Sequence, residues 1–470
     1  MLTRAIAKLS FPGRAAGALP ILAGATAIGA VVLLCALLLA KPTPVHIGVA
    51  AAIVLLPVAA YVALAHPMLF PYGLYVLLVP LDNLLAVSSS GTLTKLLGMV
   101  SGLVLVFWCL RMRRIELPPR SVYALVALLC WCFLSVAWAP SQTDSMEWVR
   151  QYVSLGLLYI ALSVTPISRS DFRWLLAFTV IGGLVTAAIG AHQFYSNPLV
   201  RADGLAVRRL IIHAGNASID PNAMSDSLLL PIAVLAMGVL RTRWITLKLL
   251  GLAGLGFMAA TIALSGSREG LVGLIVVIGY LGWRTRYRIQ IAILAAATLA
   301  TSLALHTTLW TRLSDAISTG GAGRVAIWRV GLDAFIHNWL LGYGLGSFPS
   351  VYDRYYLHVY QAYSNGWTSP PHNLLVQVGV ELGLVGIVLV GWFIVTTFTG
   401  LRGIGSDSAF HDYRVMMEAA LLGLFVVSMF IGLFTDKYAW LVFTLAAQVR
   451  LLGMQEARER RAAALSEADS

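Results

Sequence analysis

The chain has 470 residues, of which 59% are hydrophobic and only 11% charged, and its mean hydropathy is +0.81. A water-soluble domain of this size does not carry that balance, so the protein is an integral membrane protein. The formal net charge of +12 belongs to basic loops between spans rather than to a nucleic-acid surface. The four cysteines, Cys35, Cys109, Cys130 and Cys132, all fall in apolar stretches, which excludes a disulfide framework or a zinc site.

A crossing helix needs about 20 apolar residues, and the chain supplies about 12–14 such stretches. In chain order they lie near 19–40, 46–65, 68–88, 94–110, 121–139, 148–165, 172–194, 224–240, 246–264, 269–283, 289–306, 372–398, 414–434 and 438–452. The first follows Arg4, Lys8 and Arg14 and is too long for a signal-peptide core, so it is expected to remain as an anchor. Basic residues gather in alternate loops: the N-terminus, RMRR at 111–114, SRSDFR at 168–173, RTRWITLK at 241–248, RTRYR at 284–288, LRG at 401–403 and the tail EARERR. Positive charge stays on the cytoplasmic side, so both termini are expected there. The expected fold is an all-α polytopic helix bundle. It divides into an N-terminal bundle (1–306), a large outward loop (307–371), C-terminal spans (372–452) and a cytoplasmic tail (453–470).

Two outward segments, 195–223 and 307–371, exceed what a connector needs, and long structured loops usually carry function. In the second, GRVAIWRVGLDAFIHNWLLG has helical spacing of apolar residues and predicts amphipathic helices at the outer membrane face. GYGLGS at 342–347 lacks the preceding strand that a nucleotide-binding glycine loop requires.

The outward segments also hold Arg201, Arg208, Arg209, Arg268, Arg312, Arg324, Arg329 and Arg354, against the charge rule. Guanidinium groups match phosphate oxygens in pairs, so a lipid-linked phosphate or pyrophosphate is the natural ligand. The alternative is that several snorkel to lipid headgroups or pair with Asp203, Asp315, Asp333 and Asp353. Arg268, in ALSGSREGLVGL, sits where one span ends and the next begins, so its charge lies at the hydrocarbon boundary. Arg324 follows a glycine run and opens a helical pattern, a favourable setting for an anion.

In PPHNLLVQVGVELG, Pro370 and Pro371 end what precedes them, and His372 starts a long apolar run. Asn373, Gln377 and Glu381 recur every four residues and form one polar stripe, with Glu381 about 13 Å below the helix start. That stripe needs a cavity or buried partners, while Gly379, Gly383 and Gly386 would permit close helix contact. His372, neutral at pH 7, can take a proton from a hydroxyl or can simply cap the helix; His213, His306, His337 and His358 are further outward candidates.

The motif His372-Asn373, nine residues, then Gly383-x-x-Gly386 and an aliphatic residue, Ile387, resembles the signature of the bacterial O-antigen ligase family. The resemblance extends to DPNAMSDSLLLP at 220–231, SGSREG at 265–270, GRVAIWR at 323–329 and NWLLGYGLGSF at 338–348. It implies a metal-independent, inverting glycosyltransferase of the GT-C type in lipopolysaccharide biosynthesis. Such an enzyme moves O-antigen polysaccharide from undecaprenyl pyrophosphate to lipid A-core oligosaccharide at the periplasmic face of the bacterial inner membrane. On that reading His372 is the catalytic base and needs no cofactor. Arg268, Arg324 and Arg201, with Asn373 and Glu381, belong to the substrate site. O-antigen polymerases and ligases that glycosylate protein share much of the signature. A secondary transporter of an anionic solute would also show many spans and interior charges, but no inverted repeat is visible. The first two outward loops, KPTPVH and SSSGTLT, hold no carboxylate for a metal.

Overall fold

The computed structural model describes residues 60–88, 91–196, 210–214, 217–285, 287–288, 290, 324–361, 370–432, 434 and 436–468. The chain divides into two units, Met1–Phe70 and Pro71–Ser470. Only 60–70 of the first are described, so the architecture below is that of the second. The expected spans at 19–40 and 289–306, most of that at 46–65, Cys35, His306, Arg208, Arg209 and Arg312 lie outside the described residues.

The second unit is built of helices. In chain order these are α1 (Tyr72–Leu78), α2 (Leu93–Met112), α3 (Arg120–Ser135), α4 (Gln142–Val164), α5 (Arg169–Ser196), α6 (Pro221–Ser227) and α7 (Leu229–Arg241). There follow α8 (Ile245–Ser265), α9 (Arg268–Arg284), α10 (Arg324–His337), α11 (Phe348–Tyr360), α12 (Leu374–Arg402), α13 (His411–Val427) and α14 (Lys437–Ala468). Two small antiparallel hairpins, β1 (Ala86–Ser88) with β2 (Gly91–Thr92) and β3 (Ile212–Ala214) with β4 (Ala217–Ile219), are the strands among the described residues. Among the described residues, six helical stretches are long and apolar enough to cross a bilayer: 93–112, 120–138, 169–196, 221–241, 245–265 and 374–402. This is the expected all-α polytopic bundle. The large apolar side chains exposed along it, among them Leu103, Leu110, Leu157, Ile275 and Val395, suit a lipid solvent.

One expectation needs correction. The stretch 68–88 does not form one crossing helix. Helix α1 lasts seven residues and passes into a 3-10 turn at Val79–Leu84 before the β1 hairpin, because Pro80 lacks the N–H a continuing helix would use. At the other end, α14 runs through residue 452 to Ala468, so the tail prolongs the last helix. Its Ala, Glu and Arg content favours helix, and Arg458–Glu116, Arg169–Glu459 and Arg460–Asp407 ion pairs fasten it. These pairs, with Arg241–Asp412 and Arg414–Glu418, gather the basic loops at one end of the bundle.

Helix α12 packs along α3, and α9 packs along α13. Helices α10 and α11 close on each other and on α12 through Ile327, Val330, Ala334, Phe348, Val351, Tyr352 and Val380. Their outer side keeps Leu332, Ile336 and Trp339 exposed.

Helix α12 is broken at Gly383, which adopts φ 67° and ψ −165°. The loop after α10 is inserted into the break. The N–H groups of Tyr343 and Gly344 donate to the carbonyls of Val380 and Glu381 (2.9 and 2.8 Å), and the N–H of Leu384 donates to Trp339 (2.7 Å). Two indoles of the segment that begins with α3 add to this: Trp131 donates to Leu382 O (3.0 Å) and Trp138 to Gly342 O (3.1 Å). Non-helical backbone at membrane depth survives only when other protein groups take its hydrogen bonds, as they do here. A Cβ on Gly383 would strike the carbonyl of Leu340, and one on Gly342, at φ 70°, would strike Glu381 and Gly383. Gly383 therefore serves the break, not the helix contact expected from its spacing with Gly379 and Gly386. The glycines of GYGLGS make this loop possible, with positive φ at Gly342, Gly344 and Gly346.

Candidate active site

His372 stands just before α12, with Asn373 as the N-cap. Asn373 Oδ1 accepts from the N–H of Val376 (3.0 Å), while its Nδ2 donates to the carbonyl of Met429 (3.0 Å). The N–H of Leu374 donates to Ser428 O (2.8 Å). One asparagine thus starts one helix and docks it on the chain leaving another, α13, which fixes where His372 points. His372 itself adopts φ 48°, a left-handed conformation uncommon for a residue with a side chain.

The half-buried imidazole donates an N–H to the carbonyl of Phe430. Burial, and then the guanidinium of Arg324, hold its pKa below the ordinary imidazole value. The Asp220 carboxylate and the Phe430 carbonyl oppose them. The ring is therefore neutral at pH 7, with one nitrogen committed to Phe430 and the other left to accept a proton.

Arg324 opens α10, as its sequence pattern predicts. Its Nη1 donates to Oε2 of Glu269 at 2.6 Å, and its guanidinium lies 6.0 Å from the centre of the Phe430 ring. Glu269 is almost fully buried, its side chain 3% exposed. Buried carboxylate and half-covered guanidinium hold each other in place, since removing either would strand a charge in a poorly solvated setting. Arg268 is the first residue of α9, directly before Glu269, and Ser267 caps that helix by accepting from the N–H of Gly270 (3.1 Å). The side chains of Ser225 and Ser265 bond at 2.7 Å, and Gly270 sits against Ser225, so α6, α8 and α9 meet immediately behind the ion pair.

The polar stripe of α12 divides. Glu381 is 3% exposed and accepts from the backbone N–H groups of Gly346 and Phe348 and from Gln377. It thereby caps the start of α11 and ties the inserted loop to the broken helix. Its partners are not those of His372. Arg201 lies outside the described residues. Arg329 and Arg354 are exposed on α10 and α11, His213 is exposed on β3, and His358 pairs with Asp333 (2.6 Å) beside His337.

Sequence reasoning singled out His372 and Arg324, which the fold brings together. It missed Glu269, Asp220 and Phe430. Glu269 carried a signal, being an acid in the first turn of an apolar helix; Phe430, which acts through its carbonyl, carried none.

Residues 253–391 match the family model described as O-Antigen ligase. The chain carries a domain of that family. The matched stretch includes Arg268, Glu269, Arg324, His372 and Glu381, and leaves out Asp220 and Phe430. No curated protein matches the chain. An O-antigen ligase domain over 253–391, with six candidate spans among the described residues, supports a multi-pass membrane protein of the O-antigen ligase and polymerase superfamily. The match suggests a glycosyltransferase-like activity on polysaccharide and lipid-linked substrates in general.

Proposed function

We propose that the protein is an O-antigen ligase. In this reading it is a metal-independent, inverting glycosyltransferase that moves O-antigen polysaccharide from undecaprenyl pyrophosphate to lipid A-core oligosaccharide, at the periplasmic face of the bacterial inner membrane. The observation that carries the reading is a neutral imidazole, with one nitrogen held by the Phe430 carbonyl, beside a guanidinium held by Glu269.

The free nitrogen of His372 takes the proton of an acceptor hydroxyl. As that O–H bond breaks, the oxygen bonds to the anomeric carbon of the donor sugar. The bond from that carbon to the diphosphate breaks on the opposite face, and its electron pair leaves with the lipid diphosphate. One displacement with one base inverts the centre and needs no second carboxylate. Glu269 occupies one of the five N–H donors of Arg324, which leaves others to hold diphosphate oxygens as charge grows on them. Arg268 and Arg201 are proposed to share that role. Asn373 and Glu381, expected to touch substrate, are read here as positioning residues, one for His372 and one for the inserted loop.

The test is a strain lacking the protein, combined with transfer by the purified full-length chain in lipid. Loss of long-chain lipopolysaccharide with accumulation of lipid-linked polymer supports ligation. Loss of polymer length on the lipid carrier instead makes the protein a polymerase. Activity that vanishes in EDTA and returns with Mg²⁺ or Mn²⁺ removes the metal-independent mechanism.

A further inference from the structure

Among the described residues lies a cavity of ≈ 140 Å³, room for several waters at about 30 Å³ each. Its polar lining comes from four parts of the chain: Asp82 and Asn83 from the turn after α1, Gln151 from α4, Ser227 from the end of α6, and Asp436, Lys437 and Tyr438 from the start of α14. Asp220 lies between two residues of the cavity wall, Ile219 and Ala223, and its carboxylate also bears electrostatically on His372.

The lining selects a chemistry. Lys437 donates to both oxygens of Asp82 (2.7 and 2.8 Å), to Thr92 Oγ1 (2.7 Å) and to Thr94 Oγ1 (3.0 Å). An ammonium has three N–H donors, so this one is fully engaged and leaves no free cation for a phosphate. The other polar groups of the lining are the Asp436 carboxyl, which accepts from the Tyr438 hydroxyl (3.4 Å), the Asn83 and Gln151 carboxamides and the Ser227 hydroxyl, a set that suits the paired donors and acceptors of vicinal hydroxyls. Burial, helped by Asp82 and Asp220, pushes the Asp436 carboxyl up to about 7, so near neutrality it can both give and take a hydrogen bond. Behind Val79, Pro80, Ser227 and Tyr438 a narrower pocket continues to Asp226. That residue is 2% exposed, and neither of its carboxylate oxygens has a hydrogen-bond partner among the described residues. A buried carboxylate left so calls for a polar group from outside the protein.

We propose that this cavity is the subsite for a hydroxyl-bearing sugar ring of the acceptor glycan, set so that a neighbouring hydroxyl reaches His372. The inference rests on the transferase reading above and adds to it the place where the acceptor is recognised. The diphosphate stays with Arg324, because the cavity, with Lys437 spent on Asp82, offers phosphate no free cation.

The test uses full-length protein reconstituted in lipid, with donor and acceptor glycolipid varied separately. Asn83→Ala combined with Gln151→Ala removes both carboxamides from the cavity. KM for the acceptor should rise about tenfold or more. KM for the donor, and the thermal shift produced by undecaprenyl diphosphate alone, should stay within about twofold. A rise in donor KM with acceptor KM unchanged overturns the proposal in favour of a donor pocket, and no change in either overturns it outright. Should the double variant melt well below the parent, Asn83→Ala alone, at an exposed position, carries the same readout. Acceptor binding is also read without turnover, as the thermal shift given by the acceptor glycolipid. Intact binding in a protein that transfers nothing counts against the transferase reading and not against the cavity.

Discussion

The mouth of α12, at His372, and its break, beside Glu381, each carry a titratable side chain, and the two do different work. At the mouth, His372 is half-buried and is influenced by groups from three other parts of the chain: Arg324, Asp220 and Phe430. At the break, Glu381 is sealed among backbone N–H groups. A helical wheel places Asn373, Gln377 and Glu381 on one face below His372, but only the surroundings decide which group remains available for chemistry. Polar residues inside a span therefore divide into those whose bonding capacity is used up by the protein and those left with some to spare.

The largest effect should come from His372→Ala. Loss of a general base lowers turnover by about 10²–10⁴-fold, and the variant should keep its helix content and melting temperature; turnover near the parent rate would remove the base from the mechanism. Gly383→Ala, at the opposite end of the comparison, should fail in folding rather than in chemistry. A Cβ there meets the Leu340 carbonyl at a backbone angle that only glycine adopts freely. Normal yield and melting temperature for that variant would mean the break is not needed.

Smaller effects sharpen the contrast. Glu381→Ala leaves two backbone N–H groups unpaired, a loss of roughly 1–3 kcal/mol, seen as a lower melting temperature with kcat per folded molecule preserved. A selective loss of kcat would return Glu381 to the substrate site. Arg324→Lys should restore donor binding poorly, because an ammonium cannot reproduce the planar fork, and full rescue would reduce Arg324 to a point charge.

The smallest effect is electrostatic. Activity should fall as pH drops through the pKa of His372, with a midpoint below the ordinary imidazole value of about 6.5. Removing a cation that holds that pKa down raises it, so Arg324→Gln should move the acid limb of kcat upward in pH. Asp220→Asn removes an opposing anion and should move it downward. Identical profiles in all three proteins would separate His372 from both neighbours.

Composition and periodicity made the helical class and the ends of most spans legible, because a bilayer demands long apolar helices whatever they pack against. The motif around His372 and the helix start at Arg324 were legible for the same local reason. The break at Gly383 was not, since one glycine in an apolar run reads equally as a packing site. Nor was the partnership of Arg324 with Glu269, which joins positions 55 residues apart. Such contacts are set by tertiary packing and leave no periodic trace.

The bond between Lys437 and Asp82 spans 355 positions. During synthesis the turn carrying Asp82 must wait, with its carboxylate uncompensated, until nearly the whole chain has been threaded into the bilayer. The wall that Asp82 builds therefore waits for α14, and a ribosome stalled before Lys437 would leave His372, Arg324 and Glu269 translated but that side of the cavity missing.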